Sequence, residues 1–316
     1  MRNDCSIITV GLCPAWDVTC YGEGLDWGEH KLVTSTSPQP AGKALNISRA
    51  LAWMGERGIA AGLWGRDDYQ QMLKAMRPLR KFIKVRMTAV EGKTRRNITV
   101  VDTLNEREMH LRHRSELATK TSLARLEADM EKLVKSSSIC VFAGLMPEGK
   151  LVGDVVRVIG ACHKHGAKVV LDTSGEAIRQ ILDTGSVWLV KPNVEELRDL
   201  VGGEVRDEAV SLVKAGRRLL DKVGIVLISR GRKGAIAVTK KGAWWGRCVG
   251  RGRVLLTVGC GDYLLAGFLE GLKDGSDADY ALQTAIKAGT AKAWGWIEAK
   301  DWLEVQEQVR VEVKQI

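Results

Sequence analysis

The chain of 316 residues contains no uninterrupted apolar run near the roughly 18–20 residues that cross a bilayer. No charged-then-apolar segment opens it, so a cytosolic protein is expected. It also lacks any Cys-x-x-Cys pair. Its seven cysteines (Cys5, Cys13, Cys20, Cys140, Cys162, Cys248 and Cys260) are odd in number and scattered, which argues against a disulfide framework or a zinc cluster and for reduced, mostly buried thiols. Internal repeats and low-complexity tracts are absent, which argues against a solenoid. Phenylalanine is scarce, three residues against ten tryptophans. Most tryptophans stand in apolar runs such as Ala52-Trp53-Met54 and Val187-Trp188-Leu189, so they read as core rather than as a base-stacking surface. The net charge of +10 and pI near 9.3 suit an anionic partner, either a phosphorylated small molecule or a nucleic acid. Basic residues are spread along the chain, as in Arg77-Pro78-Leu79-Arg80-Lys81 and from Arg247 to Arg253. No Lys/Arg block is interleaved with aromatics, and no nucleic-acid-binding motif is present.

What the chain does have is a regular alternation of apolar strand-like runs and amphipathic helical patterns. Strands are expected at Ile7 to Leu12, Ile59 to Trp64, Phe82 to Met87, Ile139 to Ala143, Lys168 to Leu171, Val187 to Val190 and Ile225 to Ser229. Helices are expected from Leu45 to Met54, Asp67 to Met76, Leu123 to Val134, Leu151 to His163 and Asp207 to Leu220. This order predicts an α/β fold with a mostly parallel central sheet and helices on both faces. Two stretches break the rhythm, at about 13–37 and 94–114. The second reads as a hairpin, with Asn97 to Asp102 and Glu108 to Arg112 flanking a polar turn at Asn105-Glu106. Together they predict a small β layer beside the main sheet, either a water-excluding lid or a solvent-facing extension. A 45% apolar content allows one domain with an elaboration or two domains, and a single unit over 1–316 is the expectation.

The motif richest in chemistry is Thr257-Val258-Gly259-Cys260-Gly261-Asp262, which follows a strand-like Arg253-Val254-Leu255-Leu256 and precedes an apolar helical run from Tyr263 to Leu272. Glycines let a phosphate approach the backbone, and the free N–H groups of a first helical turn favour an anion. A carboxylate is repelled by such a ligand. Asp262 therefore suits taking a proton from a hydroxyl that attacks the phosphate. The competing reading is an aspartate that only stabilises the helix N-terminus. At the carboxyl end of the first strand, Asp17 in Leu12-Cys13-Pro14-Ala15-Trp16-Asp17 is placed to grip a diol, or is a simple turn aspartate. Gly42 and Asn46, in Pro40-Ala41-Gly42-Lys43-Ala44-Leu45-Asn46, open a helix where close backbone approach and an amide suit sugar hydroxyls.

Taken in order, these segments resemble the ribokinase-like carbohydrate kinases, and most closely their phosphofructokinase-B branch of 1-phosphofructokinases and tagatose-6-phosphate kinases. The resemblance runs over nearly the whole chain. It covers the Asn-Pro-Ala-x-Asp pattern at Asp17, the Gly-Gly-Lys-Gly-x-Asn signature at Gly42, Lys43 and Asn46, and a Thr-Arg-x-Asn motif at Thr94-Arg95-Arg96-Asn97. Further matches are Lys-Pro-Asn-x-x-Glu at Lys191, Asn193 and Glu196, Ser-x-Gly-x-x-Gly-Ala at Ser229, Gly231 and Gly234, and Gly-Ala-Gly-Asp at Gly259 to Asp262. Asp172, in Leu171-Asp172-Thr173, matches a pattern whose role is structural or functional. Departures are Ala41 and Ala44 for glycines, Cys260 for alanine, Tyr263 where serine is frequent, and a poorly matching strand from Met109 to Ser115.

The resemblance implies an ATP- and Mg²⁺-dependent kinase of a phosphorylated hexose, with fructose 1-phosphate as the first expectation and fructose 6-phosphate or tagatose 6-phosphate as alternatives. Asp17, Gly42 and Asn46 would hold the sugar, and Arg95 with Lys43 its phosphate. Lys191, Ser229, Gly231 and Gly234 would lie along the nucleotide, while Asn193 and Glu196 would hold magnesium through water. Gly259, Cys260 and Gly261 would offer N–H groups, with Asp262 as base. A homodimer through the lid is implied. Rival readings are a kinase of an unphosphorylated sugar or nucleoside, and a sugar-phosphate sensor without turnover.

Overall fold

The computed structural model describes residues 6–175, 177–250, 252–255, 257–273 and 275–316. Cys5, Arg251 and Leu256 lie outside the described residues. The strands are β1 (Ile7–Gly11), β2 (Ala15–Gly22), β3 (Thr34–Ser35), β4 (Gln39–Ala41), β5 (Gly58–Gly65), β6 (Ile83–Val90), β7 (Arg96–Asp102), β8 (Arg107–Arg112), β9 (Ile139–Ala143), β10 (Lys168–Asp172), β11 (Leu189–Val190), β12 (Ile225–Ser229), β13 (Ala235–Thr239), β14 (Gly242–Cys248) and β15 (Val311–Gln315).

Ten of them form one sheet in the order β15-β14-β13-β12-β11-β10-β9-β1-β5-β6. The seven from β12 to β6 are parallel, and β13 to β15 extend the edge antiparallel. Successive side chains of a strand point to opposite faces. Ile8 and Val10 of β1, Cys140 and Phe142 of β9, and Val169 and Leu171 of β10 accordingly enter one buried cluster with Leu126, Val155 and Leu212. Ile7, Val141 and Val170 enter a second, on the other face, with Ile47, Leu265 and Ala285. Burial on both faces explains why these strands are continuous apolar runs.

The helix Cys260–Leu272 is apolar nearly all round because it is enclosed between the sheet and the helices Lys43–Trp53 and Ala278–Ala293. Its glycines permit the close approach: a Cβ on Gly271 would stand 2.6 Å from Ala281 Cα. That packing fixes where the N-terminal turn of the helix points.

The second sheet has the order β3-β2-β7-β8, with β4 also paired to β2, and the hairpin β7–β8 turns at Glu106, whose φ is 51°. It is rooted on the main sheet by one buried carboxylate. Asp68 accepts from Trp16 Nε1 with one oxygen and from Thr94 N at 3.2 Å with the other, and Thr94 Oγ1 accepts from Gly65 N at 3.0 Å. Trp16 is the second residue of β2 and Thr94 precedes β7, so both inserted segments are pinned at a single point.

Among the described residues of the expected strand at Arg253 to Leu256 no strand forms; residues 252–255 are irregular. The neighbouring sheet edge is taken by β15, and Leu255 instead donates its N–H to the Ala293 carbonyl at 2.8 Å, at the end of the helix Ala278–Ala293. Gly252 lies against the Trp294 indole, where a Cβ would collide.

Candidate active site

A cleft of about 750 Å³ lies between the carboxyl ends of the parallel strands and the small sheet. It is where an open α/β sheet places ligands. A wider hollow of about 1400 Å³ borders Gly58 and Ile83, the first residues of β5 and β6, and has only Glu56 and Glu270 as acids. Glu56 there is paired with Lys273, whereas the smaller cleft gathers most of the candidate site residues.

Asp262 is 5% exposed and sits in the first turn of its helix, where Gly259, in the left-handed conformation (φ 81°), is the N-cap. Asp262 makes no capping hydrogen bond; its carboxylate accepts from Asn46 Nδ2 at 2.7 Å. Asn46 is oriented by Arg49, whose Nη1 faces Asn46 Oδ1 at 3.5 Å. Burial first, and the Asp172 carboxylate second, push Asp262 up to about 6, against the pull of Asn46, Lys43 and Lys191. A carboxylate so poised is a good proton acceptor near neutral pH.

Asp172, at the end of β10, is 1% exposed and binds two lysines through one oxygen, Lys43 Nζ at 3.0 Å and Lys191 Nζ at 3.2 Å. Burial works against the Lys43 charge, but Asp172 outweighs it and the ammonium is held above its ordinary range. Lys43 is thus no freely solvated lysine. Asp172 Oδ2 is buried without a hydrogen-bond partner among the described residues.

Asn193 and Glu196 form a capping box: Glu196 N donates to Asn193 Oδ1 at 2.9 Å, and Asn193 N donates to Glu196 Oε2 at 2.8 Å. Both side chains nevertheless line the cleft, with Ser229 beside them. Gly231 and Gly234 do not line it. Gly234, at φ 85°, has a structural reason to be glycine, because a Cβ there would overlap the Gly246 carbonyl oxygen.

On the small sheet Asp17 is exposed to the cleft and accepts from Asn97 Nδ2 at 2.8 Å. Arg95 reaches the cleft but donates to three backbone carbonyls, Pro14 at 3.2 Å, His113 at 2.6 Å and Cys13 at 3.1 Å. Two of its five N–H groups are left for a ligand. Arg112, opposite Asn97 in register, also lines the cleft and is exposed, with no ion pair among the described residues. Sequence reading passed over it because its strand matches the resemblance poorly.

Gly42 at φ 116°, Gly259 and Gly261 complete the lining, while Cys260 does not face the cleft. Burial pushes the Cys260 thiol up, so it is not an activated thiol. The Tyr263 ring is turned into the core against Trp53, 5.9 Å between centroids, and leaves the glycine turn open. Of the site residues singled out in the sequence, the cleft gathers all but Asp172, Cys260, Gly231 and Gly234, and Asp172 lies behind it on Lys43 and Lys191, which line it. No group of three or more His, Cys, Asp or Glu able to hold a metal exists among the described residues, and no described helix is long and apolar enough to cross a membrane.

The mostly parallel sheet with helices on both faces, the glycine turn at a helix start and the small sheet over the cleft define a ribokinase-like fold. The profile of the pfkB family carbohydrate kinases matches residues 5–293, and the chain belongs to that family. It is 30% identical over 277 residues to a 1-phosphofructokinase of Borreliella burgdorferi, covering 86% of this chain and 87% of that one. It is 25% identical over 317 residues to a tagatose-6-phosphate kinase of Staphylococcus epidermidis, covering 96% and 99%. Phosphofructokinase-2 of Escherichia coli, solved in complex with fructose 6-phosphate, shares the fold with a TM-score of 0.87 at 22% identity, covering 96% and 97%.

Proposed function

We propose that this protein transfers the γ-phosphoryl group of ATP to a hydroxyl of a phosphorylated hexose, with fructose 1-phosphate the first candidate. The observation that carries the reading is Asp262, a nearly fully buried carboxylate raised to about 6 beside a glycine turn that lines the cleft. The acceptor hydroxyl attacks the γ-phosphorus, its proton passes to Asp262, and the bond to the bridging oxygen of ADP breaks. Asn46 aims the carboxylate, and the lysines on Asp172 place positive charge beside the phosphates.

Asn193 and Glu196 suit a magnesium ion held through water: Glu196 keeps one carboxylate oxygen outside the capping box, the single Asn193 oxygen keeps a second lone pair, and the buried Asp172 Oδ2 has no hydrogen-bond partner among the described residues. When bound, the ion would supply positive charge that offsets the charge of the phosphates. The small sheet acts as the lid. Its register puts Asp17, Asn97 and Arg112 in one row toward the cleft, and Val18, Ile98 and Leu111 in the next. Met109, opposite Val100 and two residues before Leu111 on the same face, and Leu111 are 44% and 46% exposed, and this apolar face fits the lid of a second copy. Sedimentation velocity should give a dimer, and Leu111→Lys a monomer.

An ADP-release assay over hexose phosphates, free sugars and nucleosides, with and without excess chelator, tests the reading. Turnover confined to free sugars, or full turnover in chelator, would refute the substrate class or the metal respectively. Arg95 and Arg112 are assigned to the acceptor's phosphate. Replacing Arg112 with Ala should raise KM for the phosphosugar about tenfold or more and leave KM for ATP nearly unchanged, as loss of a charge-assisted contact of about 1.5–3 kcal/mol implies. Arg95→Ala should also lower Tm, because it removes three bonds to the roots of the lid.

A further inference from the structure

Lys292, on the helix Ala278–Ala293, is a half-buried cation that forms no ion pair with any described carboxylate. A lysine whose stem packs on the protein while its ammonium has no acid partner keeps that charge available to a ligand. The side chain runs behind the glycine turn. A Cβ on Gly259 would stand 3.3 Å from Lys292 Cε, and the ammonium lies 5.5 Å from the Tyr263 ring centroid, in cation–π range. Gly259 is the N-cap of the helix that carries Asp262, and Tyr263 is the residue after Asp262. Lys292 thus approaches Gly259 and Tyr263, the two residues that bracket Cys260, Gly261 and Asp262, without lining the cleft itself. Its field reaches the turn, since it partly offsets the effect of burial on the Cys260 thiol.

We propose that Lys292 is a positioning residue for phosphoryl transfer: its stem holds Gly259 in the left-handed conformation and its ammonium adds positive charge behind the turn that receives the transferring phosphoryl group. The charge lacks an acid in the protein because it is matched by the phosphate of the nucleotide across the turn. Charge that is fixed in place before the reaction lowers the barrier without reorganisation. The aromatic face of Tyr263 serves as the resting partner of the ammonium, which gives a reason for tyrosine at a position where the family often has serine.

This inference rests on the kinase reading, so its test has one arm that needs no turnover. Lys292→Met keeps an apolar stem of similar length and removes the charge; Lys292→Arg keeps the charge. Lys292→Met should lower kcat about tenfold or more, with KM for the phosphosugar little changed, while Lys292→Arg should stay within about threefold of the parent. In ligand-free protein, site-resolved alkylation of Cys260 by iodoacetamide should slow in Lys292→Met and not in Lys292→Arg, because loss of the nearby cation disfavours the thiolate. A Lys292→Met enzyme within twofold of the parent kcat, or equal losses in both variants accompanied by a lower Tm, would overturn the proposal in favour of simple packing. A parent protein inactive on every acceptor would refute the kinase reading instead, and unchanged Cys260 alkylation in Lys292→Met would then overturn this inference separately.

Discussion

Asp262→Asn is expected to lower kcat by at least about 10²-fold and, at neutral pH, to make the protein more stable. The two effects have one origin. Asp262 is 5% exposed and raised to about 6, chiefly by burial and then by Asp172, so its charged form is disfavoured in the folded state. In the unfolded chain the same group titrates near about 3.9. Folding therefore retains a proton that the unfolded chain releases between these values. The penalty is absent below about pH 4, grows as pH rises through the window, and is complete above about 6. A neutral amide of the same shape can still accept from Asn46 Nδ2, and it escapes that penalty, which is on the order of 1–3 kcal/mol. Tm measured at pH 7.5 should rise, and the difference from the parent should shrink as the pH is lowered toward 4. KM values should change little, as for an interaction made chiefly in the transition state. A helix-capping role predicts otherwise. Asn caps about as well as Asp, so kcat and Tm would both stay near the parent values, and such a result would remove Asp262 from the mechanism.

How much of this was legible in the sequence depended on whether a residue's role was local. The parallel strands were legible because burial on both faces demands unbroken apolar runs, as in Ile139–Ala143, which the structure reproduces residue for residue. The small sheet was legible from alternation and the polar turn near Glu106. The antiparallel edge β13 to β15 was not, because β15 comes from the end of the chain and pairs with β14 only through tertiary structure. The described residues 253–255 of the strand expected at Arg253 to Leu256 form none, although their pattern suits one, and Leu255 N is bonded instead to the Ala293 carbonyl. Within the site, the glycine turn and Asp262 were legible as a contiguous motif. The coupling of Asp172 to Lys43 and Lys191 joins residues 129 and 19 positions apart, and no local pattern announces it. Arg112 and Lys292 were missed because each matters only through what the fold sets beside it, a cross-strand partner in one case and a glycine on another helix in the other.

Asp172→Asn should have the second large effect, and it should move stability and the pH profile in directions that identify the carboxylate as the hub of the site. Asp172 compensates two ammonium groups through a single oxygen, and the Lys191 side chain is only 5% exposed. Removing one member of a buried pair leaves the other charge without compensation, which commonly costs about 3–5 kcal/mol. A fall in Tm well beyond that of an ordinary surface substitution is therefore expected at neutral pH. Asp172 is also the second-ranked cause that raises Asp262, after burial. Its repulsion disappears in the Asn variant, while Lys43 and Lys191 are freed to act on Asp262 alone, so Asp262 should titrate lower. In the parent, kcat/KM should fall as the pH drops below about 6, because a protonated Asp262 cannot accept the hydroxyl proton. In Asp172→Asn this acid limb should move to lower pH even though the maximal rate is reduced by the misplaced lysines. If Asp172 were only a structural counterion with no electrical contact with the base, Tm would fall and the acid limb would stay where it is. The two measurements, a melt and a pH–rate profile on the same variant, separate these cases.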